Sequence, residues 1–457
     1  MRLPRNHPLR YVLNNEIHAR PAQEFLAPAQ ITFIAVLYPP APNGGAFRDL
    51  EKLCEMTGAP PPRPDATHFQ ADLGPLHLKW GRHTEFVTYT FSRQEPFDDP
   101  FAKPVIAQVP DEWLTGISGT LLVGIHLAIR DHHARVPDLK DIAKEFSGNY
   151  LVGAKVGGGR AIVLTDFRIH EDGFSRMLIM DMELGKRQGG RTVQRLVEIE
   201  TYRMLALLAL PLARETGTML PGAERDLATI TSSLSQAVPQ DEPGLLDRLT
   251  RLAASVENQV SITSFRFGAA RAYQALVSHR IAELREERLI GVQTIDEFMG
   301  RRLGPAMNTC ESASRRLLEL SERVARTSDL LRTRVDVERE QQNQALLASM
   351  DRRANLQLRL QQTVEGLSVA AITYYAIGLI AYLAEAVAAF GFAVKPKLVA
   401  GVCIPVVAGA VWWALRHLRG SLGTAADAGQ DAGYASSPLV TAQSVSRVTS
   451  PVPSAGR

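Results

Sequence analysis

The chain has 457 residues, 45% of them apolar and 22% charged, and its 51 basic against 48 acidic side chains leave a net charge of +3. That length holds a sizeable soluble core with chain to spare, and so small a charge imbalance excludes a polybasic nucleic-acid binder or membrane-surface sticker on bulk electrostatics. Cys54, Cys310 and Cys403 are far apart and lack metal-ligand spacing, which suits free thiols in a reducing compartment.

Met1 to Arg20 carries Arg2, Arg5 and Arg10 but no apolar core, so no secretory leader is expected. Within it, Asn15, Glu16, His18 and Arg20 gather an amide, an acid, an imidazole and a guanidinium just before Pro21. Such a cluster makes either a site or a hydrogen-bonded brace for the chain end. The brace is the simpler reading, because buried charges persist only when paired. Ile31 to Leu37 is β-rich and stopped by Pro39 and Pro40, which predicts a strand. Phe47 to Met56 has helical spacing, with Phe47, Leu50, Leu53 and Cys54 on one face.

Leu76 to Trp80 and Thr84 to Phe91 alternate as strands, and a continuous second strand puts His83, Glu85, Val87, Tyr89 and Phe91 on one face. His83 beside Glu85 suits acid-base work or metal binding, but no third ligand is near and ordinary hydrogen-bonded pairing is the better reading. Leu121 to Ile129 is another strand, leading to Asp131, His132 and His133. Adjacent histidines on a strand point to opposite faces, so they make a poor metal set with His126. Gly157 to Gly159, between the strand-like Leu151 to Val156 and Arg160 to Phe167, lacks a following helix and a P-loop lysine. It predicts a hairpin turn rather than a phosphate cradle.

Phe174 to Met182 adds a strand, and Arg191 to Leu210 turns helical until Pro211, with Arg195, Glu198, Glu200 and Arg203 spaced for ion pairs along that helix. From Asp241 helical patterns dominate, including Leu245 to Leu252 and Ala269 to Ile290. After a break expected at Gly304-Pro305, Leu317, Leu320, Val324, Leu331 and Val335 recur like a coiled-coil seam, which predicts self-association.

Two apolar runs follow, Leu367 to Val394 and Leu398 to Leu415, around a turn holding Lys395, Pro396 and Lys397. A bilayer core roughly 30 Å thick takes about 20 apolar residues of helix, so the pair reads as a membrane hairpin, spans 367–388 and 398–415. Arg352, Arg353 and Arg359 before it and Arg416 and Arg419 after it outnumber the two lysines between, which puts both termini in the cytoplasm. Trp412 and Trp413 suit the aromatic belt. In the first span Glu365, Ser368, Ala371, Tyr375, Gly378, Tyr382 and Glu385 recur at three and four, a candidate pore or helix-contact stripe. Beyond Gly420 the Ala, Ser, Gly and Pro bias reads as a disordered tail.

The expected architecture is an α+β or α/β cytoplasmic domain (1–216), a helical and coiled-coil stalk (217–363), a two-helix transmembrane hairpin (364–418) and a tail (419–457). On Asn15 to Pro21, Arg82 to Phe86, Arg191 to Arg203 and Val364 to Ala371, the chain resembles an uncharacterised bacterial membrane family known only as a domain of unknown function. The resemblance covers nearly everything but the tail and carries over no activity. The overall layout also resembles the CorA-type metal-ion transporters, which assemble as rings with the first span lining the pore. Their Gly-Met-Asn signature is missing; Phe390-Gly391-Phe392 stands there.

The function expected is therefore an oligomeric bacterial inner-membrane protein, a CorA-like cation channel or transporter with a cytoplasmic regulatory domain. The alternative is a membrane-anchored scaffold or sensor without transport. The partners expected are the lipid bilayer, further copies of the chain and, by the layout, a divalent cation, with no nucleic acid. No cofactor, catalytic set or metal set is read from the residues, so an enzyme is not expected.

Overall fold

The structure is a computed structural model, and it describes residues 4–11, 13–14, 22–38, 44–64, 66–131, 138–236, 242–389, 397–398, 401–414 and 417. The chain divides into two compact units, Met1–Val335 and Asp336–Arg457.

The first unit is organised on β1 (Ala29–Leu37), an apolar run buried along nearly its whole length. A strand buried on both faces has to lie inside a sheet that is covered on both sides. It is followed by α1 (Gly45–Thr57), β2 (His68–Leu73), β3 (Leu76–Arg82), β4 (Phe86–Arg93), a 3-10 turn (Val105–Gln108) and α2 (Asp111–Gly116). Then come β5 (Thr120–Asp131), α3 (Leu139–Glu145), β6 (Val152–Val156), β7 (Ala161–Ile169), β8 (Ser175–Asp181) and α4 (Lys186–Leu207). The strand order is β2-β3-β4-β1-β5-β8-β7-β6. Neighbouring strands are antiparallel except β5 and β8, whose parallel pairing needs the long crossover through α3, β6 and β7. Each half of the sheet repeats a β-α-β-β-β connectivity, centred on the β1–β5 pair.

One face of the sheet is covered by α1, α2 and α3. Leu50 and Leu53 of α1 and Trp113 of α2 pack with Ile34, Trp80, Tyr89 and Phe91, and Ile142 of α3 and Phe146 pack with Leu164, Leu178 and Met180. The opposite face is covered by α4 and by two later helices, α6 (Glu242–Leu284) and α7 (Ile295–Ala389), through Leu196, Ile199, Val277, Ile281, Ile295 and Met299. The expected strands and the first two expected helices are all present, and Val87, Tyr89 and Phe91 share one face as predicted. The turn after β6 takes positive φ at Gly157, Gly158 and Gly159, where any other residue is strained, and it leads into β7 rather than a helix.

Several expectations are corrected. The second strand is not continuous from Thr84. The chain turns at Thr84-Glu85, with the His83 N–H donating to the Phe86 carbonyl, so His83 and Glu85 belong to a hairpin tip and not to a strand face. Pro211 does not end the helical region. A further helix, α5, runs Ala209–Gln236 and holds Pro211 in its first turn, where the missing N–H has no partner to lose. The boundary expected at 216 therefore falls inside α5, and the first unit extends to Val335. Gly304-Pro305 does not break the chain either. α7 runs through it because Leu303 and Met307 are held in the core on both sides of the proline.

The seam Leu317, Leu320, Val324 and Leu331 is buried against Leu220, Leu227 and Ile230 of α5 and Leu245, Leu249 and Val256 of α6. A stripe of this width is satisfied by its own chain's helices, so it offers no soluble surface to a second copy. The bundle is closed by an ion pair between Arg334 Nε and the buried carboxylate of Glu242, 2.5 Å apart.

In the second unit, the end of α7 is the one helix among the described residues that is long and apolar enough to cross a membrane, with a mean hydropathy of 1.8 over a stretch only 6% buried by protein. The second apolar run contains a shorter helix, α8 (Gly401–Ala414), with Trp412 and Trp413 exposed. The Lys395-Pro396 turn and the tail beyond Gly420 lie outside the described residues.

Leu320→Ala and Leu331→Ala are each expected to destabilise the fold by about 2–5 kcal/mol through the cavity left in the bundle. A lowered melting temperature at unchanged assembly mass is the expected outcome in detergent; an unchanged melting temperature would contradict this packing.

Candidate functional site

α4 is seated on the sheet by two glycines in its first turn. A Cβ on Gly190 would overlap the carbonyl oxygen of Gln23, and one on Gly189 would lie 2.8 Å from that of Phe25. The Phe25 N–H donates to the Lys186 carbonyl at 3.1 Å, fastening the chain before β1 to the start of the helix. Further along α4 the stripe turns polar, with Gln194, Glu198 and Tyr202 spaced four apart and so on one face. Beneath them the sheet offers Lys79, Gly81, Thr88 and Thr90, and between the two layers lies a cavity of about 330 Å³. His68, His83 and Arg280 also border it.

The charges around the cavity form a ladder between helices. Glu198 accepts from Gln194 Nε2 at 2.7 Å and from Arg280 Nε, while Glu283 accepts from Arg280 Nη1 at 2.9 Å and from Arg195 Nε at 3.2 Å. Arg195 and Glu198 were expected to pair along their own helix. They reach instead to α6, because the two helices pack side by side; Glu200 and Arg203 do pair as spaced, at 2.8 and 2.5 Å. Burial lowers the pKa of Lys79, and the charge of Glu198 works against that shift.

Of the expected polar cluster, Asn15, Glu16, His18 and Arg20 lie outside the described residues. His83 stacks on Phe86, with ring centroids 4.2 Å apart. Glu85 turns away from it and accepts from Arg266 Nη2 at 2.6 Å and from the Tyr273 hydroxyl at 3.1 Å, both on α6. Burial first, and then this carboxylate, push the Tyr273 pKa up to about 12. His83 and Glu85 are thus not a paired acid and base; Glu85 braces the hairpin tip. Of the membrane stripe, Ser368, Ala371, Tyr375, Gly378, Tyr382 and Glu385 all fall on α7, with Tyr375 71% and Tyr382 73% exposed; the side chain of Glu365 lies outside the described residues.

Two further groupings invite chemistry. Ser147 Oγ lies 3.3 Å from His170 Nδ1, and His170 Nε2 lies 2.9 Å from the buried Asp166. The set has the composition of a nucleophile relay, and Ser147 has φ of 55°. However, the N–H groups of Ser147, Gly148 and Asn149 all donate to carbonyls of Phe146 and the end of α3, leaving none there to hold an oxyanion. The arrangement braces the β7–β8 hairpin.

The second grouping surrounds His126, which is buried in β5 with Nδ1 3.0 Å from Thr32 Oγ1 and its ring stacked on Phe174. His132 and His133 lie outside the described residues, and no three potential ligands cluster among the described ones.

Lys79, Gln194, Glu198, Tyr202 and Arg280 were not singled out as site residues from sequence. The four-residue spacing on α4 was a usable signal, but only the fold brings Lys79 and Arg280 to it.

An open mixed sheet with helices on both faces and a cavity under one helix defines an α+β domain, joined in one chain to an apolar helix of membrane-spanning length. The chain belongs to the family described as "Protein of unknown function (DUF3422)", whose model matches residues 5–422. No curated protein matches it. Among solved structures it is similar to one titled "structure of the full-length CmaX protein", at 13% identity and a TM-score of 0.17, over 66% of this chain and 94% of that one.

Two outcomes follow from this geometry. Gly190→Ala is expected to destabilise the first unit by about 1–3 kcal/mol, since a backbone carbonyl has to move, and thermal melting measures it. Burial pushes the His126 pKa down to about 4 from 6.5. The unfolded chain therefore binds the extra proton first, so this stability is complete above pH 6.5 and is lost as pH falls toward 4, about 3 kcal/mol in all. His126→Asn is expected to flatten that acid limb in a comparison of melting at pH 7 and pH 4.5.

Proposed function

We propose that the chain is an oligomeric bacterial inner-membrane protein that forms a cation path, with the sheet domain as its cytoplasmic regulatory part. The observation that carries this reading is the exposed stripe on α7, in which Glu385 and the two tyrosines sit within an apolar segment that has almost no protein cover. A carboxylate facing lipid costs several kcal/mol, so the stripe calls for other helices or water. At about 100° per residue, Ser368 to Tyr382 fall within about 80° of arc, and a left-handed supercoil draws Glu385 onto the same line. Rings of Glu365 and Glu385 at two mouths favour cations, divalent ones included. In this reading α8 belongs to the second span of a CorA-like hairpin with both termini cytoplasmic, as the balance of basic residues favours.

A second reading, a membrane-anchored scaffold or sensor without transport, is favoured by the packing of the Leu317 to Leu331 seam inside its own chain, which removes that seam as a surface for ring assembly.

Two experiments test these readings. A membrane-impermeant thiol reagent applied from the periplasm is expected to label Lys395→Cys and to spare Gly420→Cys; the reverse pattern overturns the topology. In liposomes the wild type is expected to pass cations, and Glu385→Gln to lower the flux with assembly mass unchanged. Wild-type vesicles that pass no cation under any gradient leave the anchor.

A further inference from the structure

We propose that α7 pairs with the α7 of a second copy, parallel and in register, along one face that starts in the exposed stretch at Leu346 and continues through the apolar end to Tyr382. The pairing rests on the reading that this apolar end crosses a bilayer, and it is independent of a cation path.

That face changes character along its length. At about 100° per residue, Leu346, Met350, Gln357, Leu360 and Val364 fall within about 80° of arc. Ser368, Ala371, Tyr375, Gly378 and Tyr382 fall on the same arc. In the upstream stretch this face is the apolar one, and Leu346, Met350, Leu360 and Val364 stand exposed in the single chain. In the apolar end it is the polar one. The opposite face reverses in the other sense, from Gln344, Asp351, Asn355, Arg359 and Gln362 to Val369, Thr373, Ile377, Ile380 and Ala384. The opposite face thus suits water first and lipid next, while the Leu346 to Tyr382 face suits neither medium at its own level. A face that avoids its surroundings in both media calls for protein cover.

Its own chain supplies too little. The other described helix of the second unit, α8, is about 20 Å long at 1.5 Å per residue, against roughly 55 Å for the face. A covering helix has to turn from apolar to polar at the same level and in the same direction. A second α7, parallel and in register, does so by identity; an antiparallel one sets Leu346 against Tyr382. Met350, Gln357, Val364, Ala371 and Gly378 are seven apart, so they stay at the centre of the contact when the helices supercoil. Gln357 carries both donor and acceptor, so two copies satisfy each other there only in register. Arg353 stands beside this line, with a stem long enough to keep its charge in water. A strip about 55 Å long and about 10 Å wide on each partner totals roughly 1,100 Å², close to the lower end of stable interfaces.

The test places single cysteines in the full chain in native membranes and oxidises with copper phenanthroline and oxygen, with the wild type as the control for Cys54, Cys310 and Cys403. Met350→Cys and Val364→Cys are expected to join two chains by disulfides. Asn355→Cys and Gln362→Cys, on the opposite face, are expected to stay at the wild-type level. Met350→Asp is expected to weaken self-association in detergent at least about tenfold, with melting of the first unit unchanged. Stripe positions that cross-link no more than the wild type, or opposite-face positions that cross-link equally well, overturn the pairing. Carbonate washing of the same membranes decides the bilayer reading separately: a retained chain without stripe cross-links overturns the pairing and spares that reading, and a washed-off chain with them does the reverse.

Discussion

The backbone contact between the first turn of α4 and the chain before β1 sets the geometry of the first unit. Without side chains at positions 189 and 190, the helix reaches the carbonyls of Gln23 and Phe25; with any side chain there it stands off. From that fixed end α4 runs across the sheet, and its apolar stripe closes onto the core while Gln194, Glu198 and Tyr202 leave a gap over β3 and β4. The cavity is thus a result of where the helix is pinned. α6 follows the same line, because Arg280 and Glu283 meet Glu198 and Arg195 only when the two helices lie side by side.

Much of this was legible in the sequence, and the rest was hidden for identifiable reasons. Strands with one residue type inside, such as Ile31 to Leu37, declare themselves by composition. β2 was not read, because His68, Gln70 and Asp72 alternate with Phe69, Ala71 and Leu73 on an edge strand that buries little. The start of α5 was masked by Pro211, which reads as a breaker but is tolerated in a first turn. The Leu317 to Leu331 seam was read as a surface for self-association, but periodicity says only that a stripe is covered, and the covering helices are α5 and α6 of the same chain. The same limit applied to the site. His83 and Glu85 drew attention by adjacency, yet the hairpin tip sends one to Phe86 and the other to α6.

The apolar end of α7 poses a different physical problem. In the first unit, charged side chains are buried in neutralising sets, as in the ladder and the Glu242–Arg334 pair. On α7 the exposed Glu385 has no such set within its own helix, and in an apolar surrounding that cost has to be met by something outside the helix. This contrast separates a helix that completes a core from one whose apolar surface is left almost uncovered by protein.

Between these regimes α7 passes through residues 336–364, exposed nearly throughout and supported by local contacts such as Gln344 to Glu340, Asn355 to Asp351 and Thr363 to Arg359. A helix with no buried face draws its stability from propensity and neighbouring side chains alone, so its amide protons trade with solvent far sooner than those of β1 or β5. A protease should open the chain there first, releasing the sheet and its helical bundle as a separate piece.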